Sequence, residues 1–455
     1  MNAGFEKMNI CCINPPIEDF YATSIRRQPL GLLYVMAALR NARHEVIFIN
    51  GHTPKSHAMD IPEDFSYIIP WLCPSHGSQG FPFRRYYHFG MSWQEMERRI
   101  SSTDARVFFI SSLFTTYHEE TARIVNIIRA CKENAIITVG GYHAALYPHH
   151  FLNGLGVDYV ITGEGETASV LLMEHLAGKG DRARIPGLAY SENNTVTMTD
   201  KKKEDIHALP YPARDLLLDR DFRMYRKKAV SMITSRGCPH RCEFCTGKSI
   251  WGYSYRTRRI DSVIREIDEC RTRYGTHIVN FEDDNLFAEK ERSTELLRAL
   301  ADYNRPGSGD SALEFTAMNG ISLEKLSEET ILHLKKAGFH ELNISLVTHS
   351  ERLQEKYKRP FDSESFAAAA RTARKAGLNV RAYYILGLPG QTRDEVEETL
   401  AFLKGLDVKI FPSVYYNVNA PREQWKMQRS SAFYNETEHL TRKDLLRYFH
   451  LSMSL

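Results

Sequence analysis

Cys238, Cys242 and Cys245 stand in a C-x3-C-x2-C spacing within the stretch Ser235-Arg236-Gly237-Cys238-Pro239-His240-Arg241-Cys242-Glu243-Phe244-Cys245-Thr246, directly after an apolar run. Thiolates are soft ligands that select zinc, copper(I) or iron–sulfur clusters, and three on one short loop leave one iron of a four-iron cluster without a protein ligand. That open iron can bind a substrate. A structural zinc site closes its tetrahedron with a fourth Cys or His, and the nearest candidate, His240, lies inside the loop where geometry makes it awkward. The Gly, Pro, His, Arg and Glu flanks describe an exposed turn, which argues against three cysteines buried as apolar core.

This spacing, with Phe244 just before the third cysteine, resembles the radical S-adenosylmethionine (radical SAM) superfamily. The resemblance implies a 4Fe-4S cluster on Cys238, Cys242 and Cys245, whose open iron chelates the amino and carboxylate groups of the methionine moiety. It further implies cleavage of the sulfonium to a 5′-deoxyadenosyl radical, and hence an electron donor such as flavodoxin or ferredoxin. In such enzymes the cofactor carries the hard chemistry and the protein positions it.

The chain that must do the positioning has 455 residues, enough for two or three domains. Its 43% hydrophobic and 25% charged composition is that of a soluble globular protein. A formal net charge of +3 gives no argument for nucleic acid, and the short run Lys201-Lys202-Lys203 reads as a solvated face. No apolar stretch is long enough to span a membrane, and Met1 to Lys7 lack the apolar core of a signal peptide, so a cytoplasmic location is expected. Of the other cysteines, Cys11 and Cys12 sit in a strand pattern and Cys131 and Cys270 on helices; all four read as core residues.

The first half alternates apolar strands (9–13, 45–50, 106–111, 136–139, 157–161) with helical patterns (30–40, 119–132, 167–176), which predicts a parallel sheet covered on both faces. In such sheets ligands bind at the carboxyl ends of the strands. The loops there are Asn14-Pro15-Pro16, Ser111-Ser112-Leu113-Phe114-Thr115, Gly140-Gly141-Tyr142-His143 and Gly163-Glu164-Gly165-Glu166. No G-x-G-x-x-G opens the first helix, so a dinucleotide is not favoured.

With Pro29-Leu30-Gly31-Leu32-Leu33-Tyr34, and in this order ahead of the cysteines, these pieces resemble the Rossmann-like cobalamin-binding domain fused to one branch of radical SAM enzymes. The resemblance makes Pro15, Ser111, Ser112, Leu113, Phe114, Thr115, Gly140, Gly141, His143, Gly163, Glu164 and Gly165 the candidate cobalamin contacts. The D-x-H-x-x-G signature of a cobalt-ligating histidine is absent. Residues 113–116 are then expected beneath the cobalt, and His143 at the cofactor's periphery or on the surface.

The connection 52–91 is long and rich in aromatics, including Trp71, Phe81, Phe83, Tyr86, Tyr87 and Phe89, which speaks against disorder. It reads either as a cap over a cofactor or as packing against a sheet edge. A proline-bearing stretch, Ile185-Pro186-Gly187 to Arg214, marks a connector. The expected division is a cobalamin-binding domain at 1–185, a connector at 186–227, a barrel at 228–425 and a tail at 426–455 of unassigned role.

The second βα series has strands at 230–234, 278–281, 313–316, 342–346, 380–386 and 408–414. Six units are too few for a full eight-stranded barrel, and the resemblance implies a partial (βα)6 radical SAM barrel, still with its functional groups at the strands' carboxyl ends. The acidic run Glu282-Asp283-Asp284-Asn285 needs a cation or donors to satisfy it, and by resemblance Asp283 and Asp284 meet the methionine ammonium. Ser345, Arg359 and Gly387-Leu388-Pro389 follow as further S-adenosylmethionine contacts, with Arg359 suited to pairing the carboxylate. Many relatives carry glutamate where Val347 stands. Tyr415, Tyr416, Asn417 and Arg422 are substrate candidates.

The leading expectation is methylation of an unactivated carbon through a 5′-deoxyadenosyl radical and methylcobalamin. Rearrangement, ring contraction or oxidative cyclisation would use the same motifs. A methylthiotransferase would need a second cysteine triad and a terminal β-barrel, and a non-catalytic cobalamin sensor would not need the intact triad.

Overall fold

The computed structural model describes residues 9–21, 28–75, 77–305, 312–321, 323, 326–359 and 362–455. In the first half, β1 (Asn9–Asn14), β2 (Glu45–Asn50), β3 (Val107–Ser111), β4 (Ile136–Gly140) and β5 (Tyr159–Ile161) run parallel in the order β2-β1-β3-β4-β5. Successive residues point to opposite faces. Cys11, Ile13, Phe108 and Ile110 join one apolar cluster with residues of helix His118–Cys131, while Ile10, Cys12, Val107 and Phe109 join another with helices Leu30–Asn41 and Glu166–Leu176. Cover on both faces is the doubly wound arrangement expected. Cys270 is also core, but Cys131 is only half-buried and accepts a hydrogen bond from Ser101 Oγ (3.0 Å).

Two further strands, β6 (Leu188–Glu192) and β7 (Thr195–Met198), extend this sheet as an antiparallel hairpin on β5. The first unit therefore runs past the expected edge at 185. Its extension was hidden because the turn is Asn193-Asn194, both at positive φ, the conformation of a two-residue hairpin turn without glycine. The connector follows β7.

The second unit has β8 (Lys227–Met232), β9 (Ile278–Phe281), β10 (Glu314–Thr316), β11 (Glu341–Val347), β12 (Asn379–Leu386) and β13 (Lys409–Val414). They form two parallel three-stranded arcs joined by the bridges Phe315–Phe339 and Ile321–Ile344, a partial barrel. Local signals set the crossover helices: Thr392 and Glu395 form a capping box on Arg393–Gly405, and Gly275 and Gly338 end helices Ile260–Tyr274 and Glu328–Ala337 in left-handed geometry.

The tail and the long connection 52–91 pack together. The connection's strand Tyr86–Phe89 pairs on one side with Ser56–Met59 and on the other with Ile17–Asp19 in a small antiparallel sheet. Phe81 meets Phe433 (5.7 Å between centroids), Phe83 meets Phe449 (6.0 Å) and Tyr67 meets Tyr434 (5.6 Å). Helix Arg442–Ser454 then returns to the barrel, where Ser452 Oγ lies 2.7 Å from Tyr384 Oη. The aromatic connection thus packs against the tail. Among the described residues no helix is long and apolar enough to cross a membrane.

Candidate active site

The cysteine loop leaves β8 through Ser235 and Arg236, which pair with Thr257 and Arg256. Gly237 (φ +87°) makes the turn, and a Cβ there would fall 2.1 Å from the Ser254 carbonyl oxygen, so only glycine fits. The three thiols open on a cleft whose walls include Phe244, Trp251, Asp284, Asn285, Asn319, Ser345 and Arg359.

Each sulfur has a donor aimed at it. Asn285 Nδ2 lies 3.8 Å from Cys238 Sγ, Arg359 Nη1 3.4 Å from Cys242 Sγ, and the Gly247 N–H donates to Cys245 Sγ at 3.4 Å. Burial pushes the Cys238 and Cys245 thiols up, which a bound metal would reverse by taking them as thiolates. Three soft ligands with donors on the sulfurs fit an iron–sulfur cluster. Among the described residues no three His, Cys, Asp or Glu side chains converge on a single-ion site.

The expected S-adenosylmethionine contacts divide. Phe244, Asp284, Ser345 and Arg359 line the cleft. Arg359 Nη2 donates to the Ser345 carbonyl (3.0 Å) and its guanidinium carbon lies 5.9 Å from the Phe244 ring. Asp284 accepts from the Gly237 N–H (3.3 Å), and burial raises its carboxyl to about 6. Asp283 does not face the cleft: it is buried and accepts from the Thr234 N–H (3.0 Å), Thr234 Oγ1 (2.8 Å) and Ser235 Oγ. These two residues, just after β8, use up its oxygens.

Gly387, Leu388 and Pro389 also stand outside the cleft lining. Leu388 is buried with Val347, Leu353 and Tyr357 in a cluster against which Phe244 and Tyr415 pack. The Pro389 carbonyl accepts from Tyr357 Oη (3.0 Å), and Gln391 Oε1 accepts from the Gly387 N–H (2.8 Å). This turn braces Phe244 from behind. Val347, at the position where the resemblance implies a glutamate, sits at a bulge with φ +69° and turns into the same cluster.

In the first unit, Leu113 is 38% exposed at the end of β3, with Ser111, Phe114, Gly140, Gly141 and Gly163 half-buried around the strand ends. A Cβ on Gly140 would meet nothing closer than 3.9 Å, whereas one on Gly141 (φ +113°) would fall 2.5 Å from the Ser112 carbonyl oxygen. An apolar residue beside a bare glycine backbone fits the broad face of a corrin. Pro15, Ser112 and Thr115 are buried beneath.

Three candidates of this unit are engaged by the protein's own groups. Glu164 is buried, accepting from Arg236 Nη1 (2.7 Å) and Arg256 Nη2 (2.5 Å), while Glu166 accepts from Arg236 Nη2. Glu164 thus pins the two units together. Gly165 is held close to the Val35 side chain, with 2.9 Å left for a Cβ. His143 is fully buried rather than on the surface. Its Nδ1 lies 3.1 Å from Thr115 Oγ1, and its ring packs 5.0 Å from Trp425, which His118 (5.3 Å) and His150 (5.1 Å) also flank. Burial holds His118 and His150 down to about 4.

The substrate candidates split as well. Tyr415 packs toward Phe244 and Leu388, while Tyr416 turns to the first unit beside Thr115. Asn417 is engaged within its own segment, its N–H donating to Gln428 Oε1 (2.9 Å). Arg422 is exposed beside Gly154 and does not line the cleft.

Trp251, Asn285, Asn319 and Tyr142 escaped the sequence reading. Asn319 follows β10 as Asp284 follows β9, so the strand-end rule contained its signal. Tyr142 lay inside a quoted motif with nothing to distinguish it: its hydroxyl accepts from Trp251 Nε1 (2.7 Å) and lies 3.5 Å from Asp284 Oδ1.

Residues 232–403 match the radical SAM superfamily, and residues 80–172 match the B12 binding domain. The chain belongs to the cobalamin-dependent radical SAM enzymes. Membership brings a 4Fe-4S cluster, S-adenosylmethionine and cobalamin, and with them the need for a reductant.

Cytidylyl-2-hydroxyethylphosphonate methyltransferase of Streptomyces wedmorensis is 23% identical over 82% of this chain and 72% of its own. Hopanoid C-3 methylase of Methylococcus capsulatus is 25% identical over 96% of this chain and 74% of its own. Among solved structures, the radical S-adenosylmethionine methyltransferase TsrM of Kitasatospora setae, with cobalamin and a 4Fe-4S cluster bound, superposes with a TM-score of 0.69. It covers 90% of this chain and 75% of its own at 17% identity, a likeness of fold.

Proposed function

We propose that this radical SAM enzyme transfers a methyl group to an unactivated carbon. The observation that carries the reading is the direct contact between its two cofactor regions: the Gly140-Gly141-Tyr142 loop touches Trp251 and Asp284 of the cysteine cleft. The named activities of the Streptomyces and Methylococcus relatives share methyl transfer and differ in acceptor, which supports the reaction class and leaves the acceptor open.

When bound, the cluster supplies the electron that cleaves the sulfonium, and cobalamin carries the methyl group. Cys238, Cys242 and Cys245 hold the cluster. Arg359 presents a planar, permanently charged fork to the carboxylate of the methionine moiety, braced by the Ser345 carbonyl. Asp284 accepts the ammonium, which compensates a carboxylate otherwise raised by burial. Leu113, Gly140 and Gly141 would bear the corrin, with His143 held beneath them by Thr115 and packed against Trp425. Tyr415 and Tyr416, facing opposite regions from adjacent positions, flank the acceptor. The reductant is a one-electron donor of the flavodoxin or ferredoxin kind.

The test uses reconstituted enzyme, reductant and S-adenosylmethionine deuterated at the methyl group, incubated with small-metabolite extracts. Label in a carbon-bound methyl, with release of both S-adenosylhomocysteine and 5′-deoxyadenosine, is expected. Release of 5′-deoxyadenosine alone with an unmethylated product overturns the proposal in favour of rearrangement or cyclisation.

A further inference from the structure

Tyr142 occupies the first position of the short helix Tyr142–Leu146, directly after Gly141. Its backbone is tied to the strand-end loops: the Ala145 N–H bonds back to the Gly141 carbonyl (2.9 Å) and the His143 N–H to the Ser112 carbonyl (3.2 Å). A group seated on those loops therefore bears on Tyr142. Its ring meets Trp251 edge to face at 6.5 Å.

The polarity of the hydroxyl's contacts is forced. Trp Nε1 can only donate, so the phenol oxygen accepts from Trp251 and its single proton is left for a carboxylate. That carboxylate is Asp284, whose other oxygen takes the Gly237 N–H next to Cys238. The two contacts differ in length, 2.7 Å to Trp251 and 3.5 Å to Asp284, so the second is the one able to tighten. Both partners wall the cleft, and Tyr142 does not itself line it.

Resting on the proposed cofactor placement, we infer that Tyr142 is a positioning residue that couples the two sites: filling the loop of the first unit sets Trp251 and Asp284, and so tightens S-adenosylmethionine binding. Coupling of this kind is reciprocal, so S-adenosylmethionine raises cobalamin affinity by the same factor.

The test is calorimetric and needs no turnover. S-adenosylmethionine is titrated into cluster-loaded full-length protein with and without hydroxocobalamin. The wild type should bind about fivefold more tightly with hydroxocobalamin. Tyr142→Phe, which keeps the ring, should bring the ratio to about one with iron content and cobalamin uptake unchanged. Trp251→Phe, which removes the donor and leaves Tyr142 and Asp284 in place, should do the same and carries the test if Tyr142→Phe fails to load its cluster. Equal affinities with and without hydroxocobalamin in the wild type, or an unchanged ratio in a loaded variant, overturns the inference. Failure of the wild type to take up hydroxocobalamin is read directly from its visible spectrum and overturns the cofactor placement instead.

Discussion

The cysteine cleft and the strand ends of the first unit both lie at the carboxyl ends of parallel strands, yet most of the candidates in the cleft face open space and much of the second set is committed to protein partners. In the cleft, Cys238, Cys242, Cys245, Phe244, Asp284, Ser345 and Arg359 line one cavity. At the strand ends, Glu164 is spent on Arg236 and Arg256, and His143 is buried against Trp425 with its Nδ1 on Thr115. What the protein leaves accessible there is mainly backbone, the exposed Leu113 and the half-buried Ser111 and Phe114. A site that grips a cluster needs particular side chains, whereas a site that bears a broad planar cofactor needs mainly a cleared surface, so polar residues near it are free to serve structure.

The comparison breaks first at the cluster. Cys242→Ala should abolish the iron–sulfur absorbance and bound iron of anaerobically reconstituted protein, while hydroxocobalamin uptake by the first unit persists. A variant that keeps a full cluster would remove Cys242 from the ligand set.

A smaller effect is expected where the units are pinned. Arg236→Ala leaves Glu164 and Glu166 buried without their common partner, and loss of one member of such a pair costs about 3–5 kcal/mol. Denaturant unfolding should report that loss. An unchanged midpoint would mean that Glu164 is not a pin and is available to a ligand.

The smallest effect belongs to the histidines around Trp425, which face Glu119, Arg422 and Arg429. Burial depresses the pKa of His118 and His150 from 6.5 to about 4. The unfolded chain therefore binds protons that the folded one refuses, and stability that is full above pH 6.5 should fall as the pH drops toward 4. Thermal unfolding across that window checks the sign, and replacing both histidines with glutamine should lessen the fall, leaving the part that buried His143 contributes.

The architecture was legible because its signals are local. Strand periods, capping residues and glycine turns act within a few residues, and β2 and β9 run over the residues that periodicity indicated, 45–50 and 278–281. The hairpin β6–β7 was missed because Asn193-Asn194 takes a turn geometry usually marked by glycine. The cysteine loop was legible for the same reason as the strands: its three ligands lie within eight residues, so spacing alone brings them together.

Spacing could not tell which polar residues would be left free. Asp283 and Asp284 are adjacent and chemically identical, yet the first is satisfied by Thr234 and Ser235 and the second faces the cleft. Arg236 meets Glu164 across 72 positions of chain, and Tyr142 meets Trp251 across 109. A carboxylate or a phenol has the same hydrogen-bonding capacity wherever it stands; which partner uses it depends on packing between distant elements. The chain alone specified the chemistry available and the strands that would carry it. Folding assigned that chemistry, giving some groups to the joint between the units and leaving others open to a cofactor.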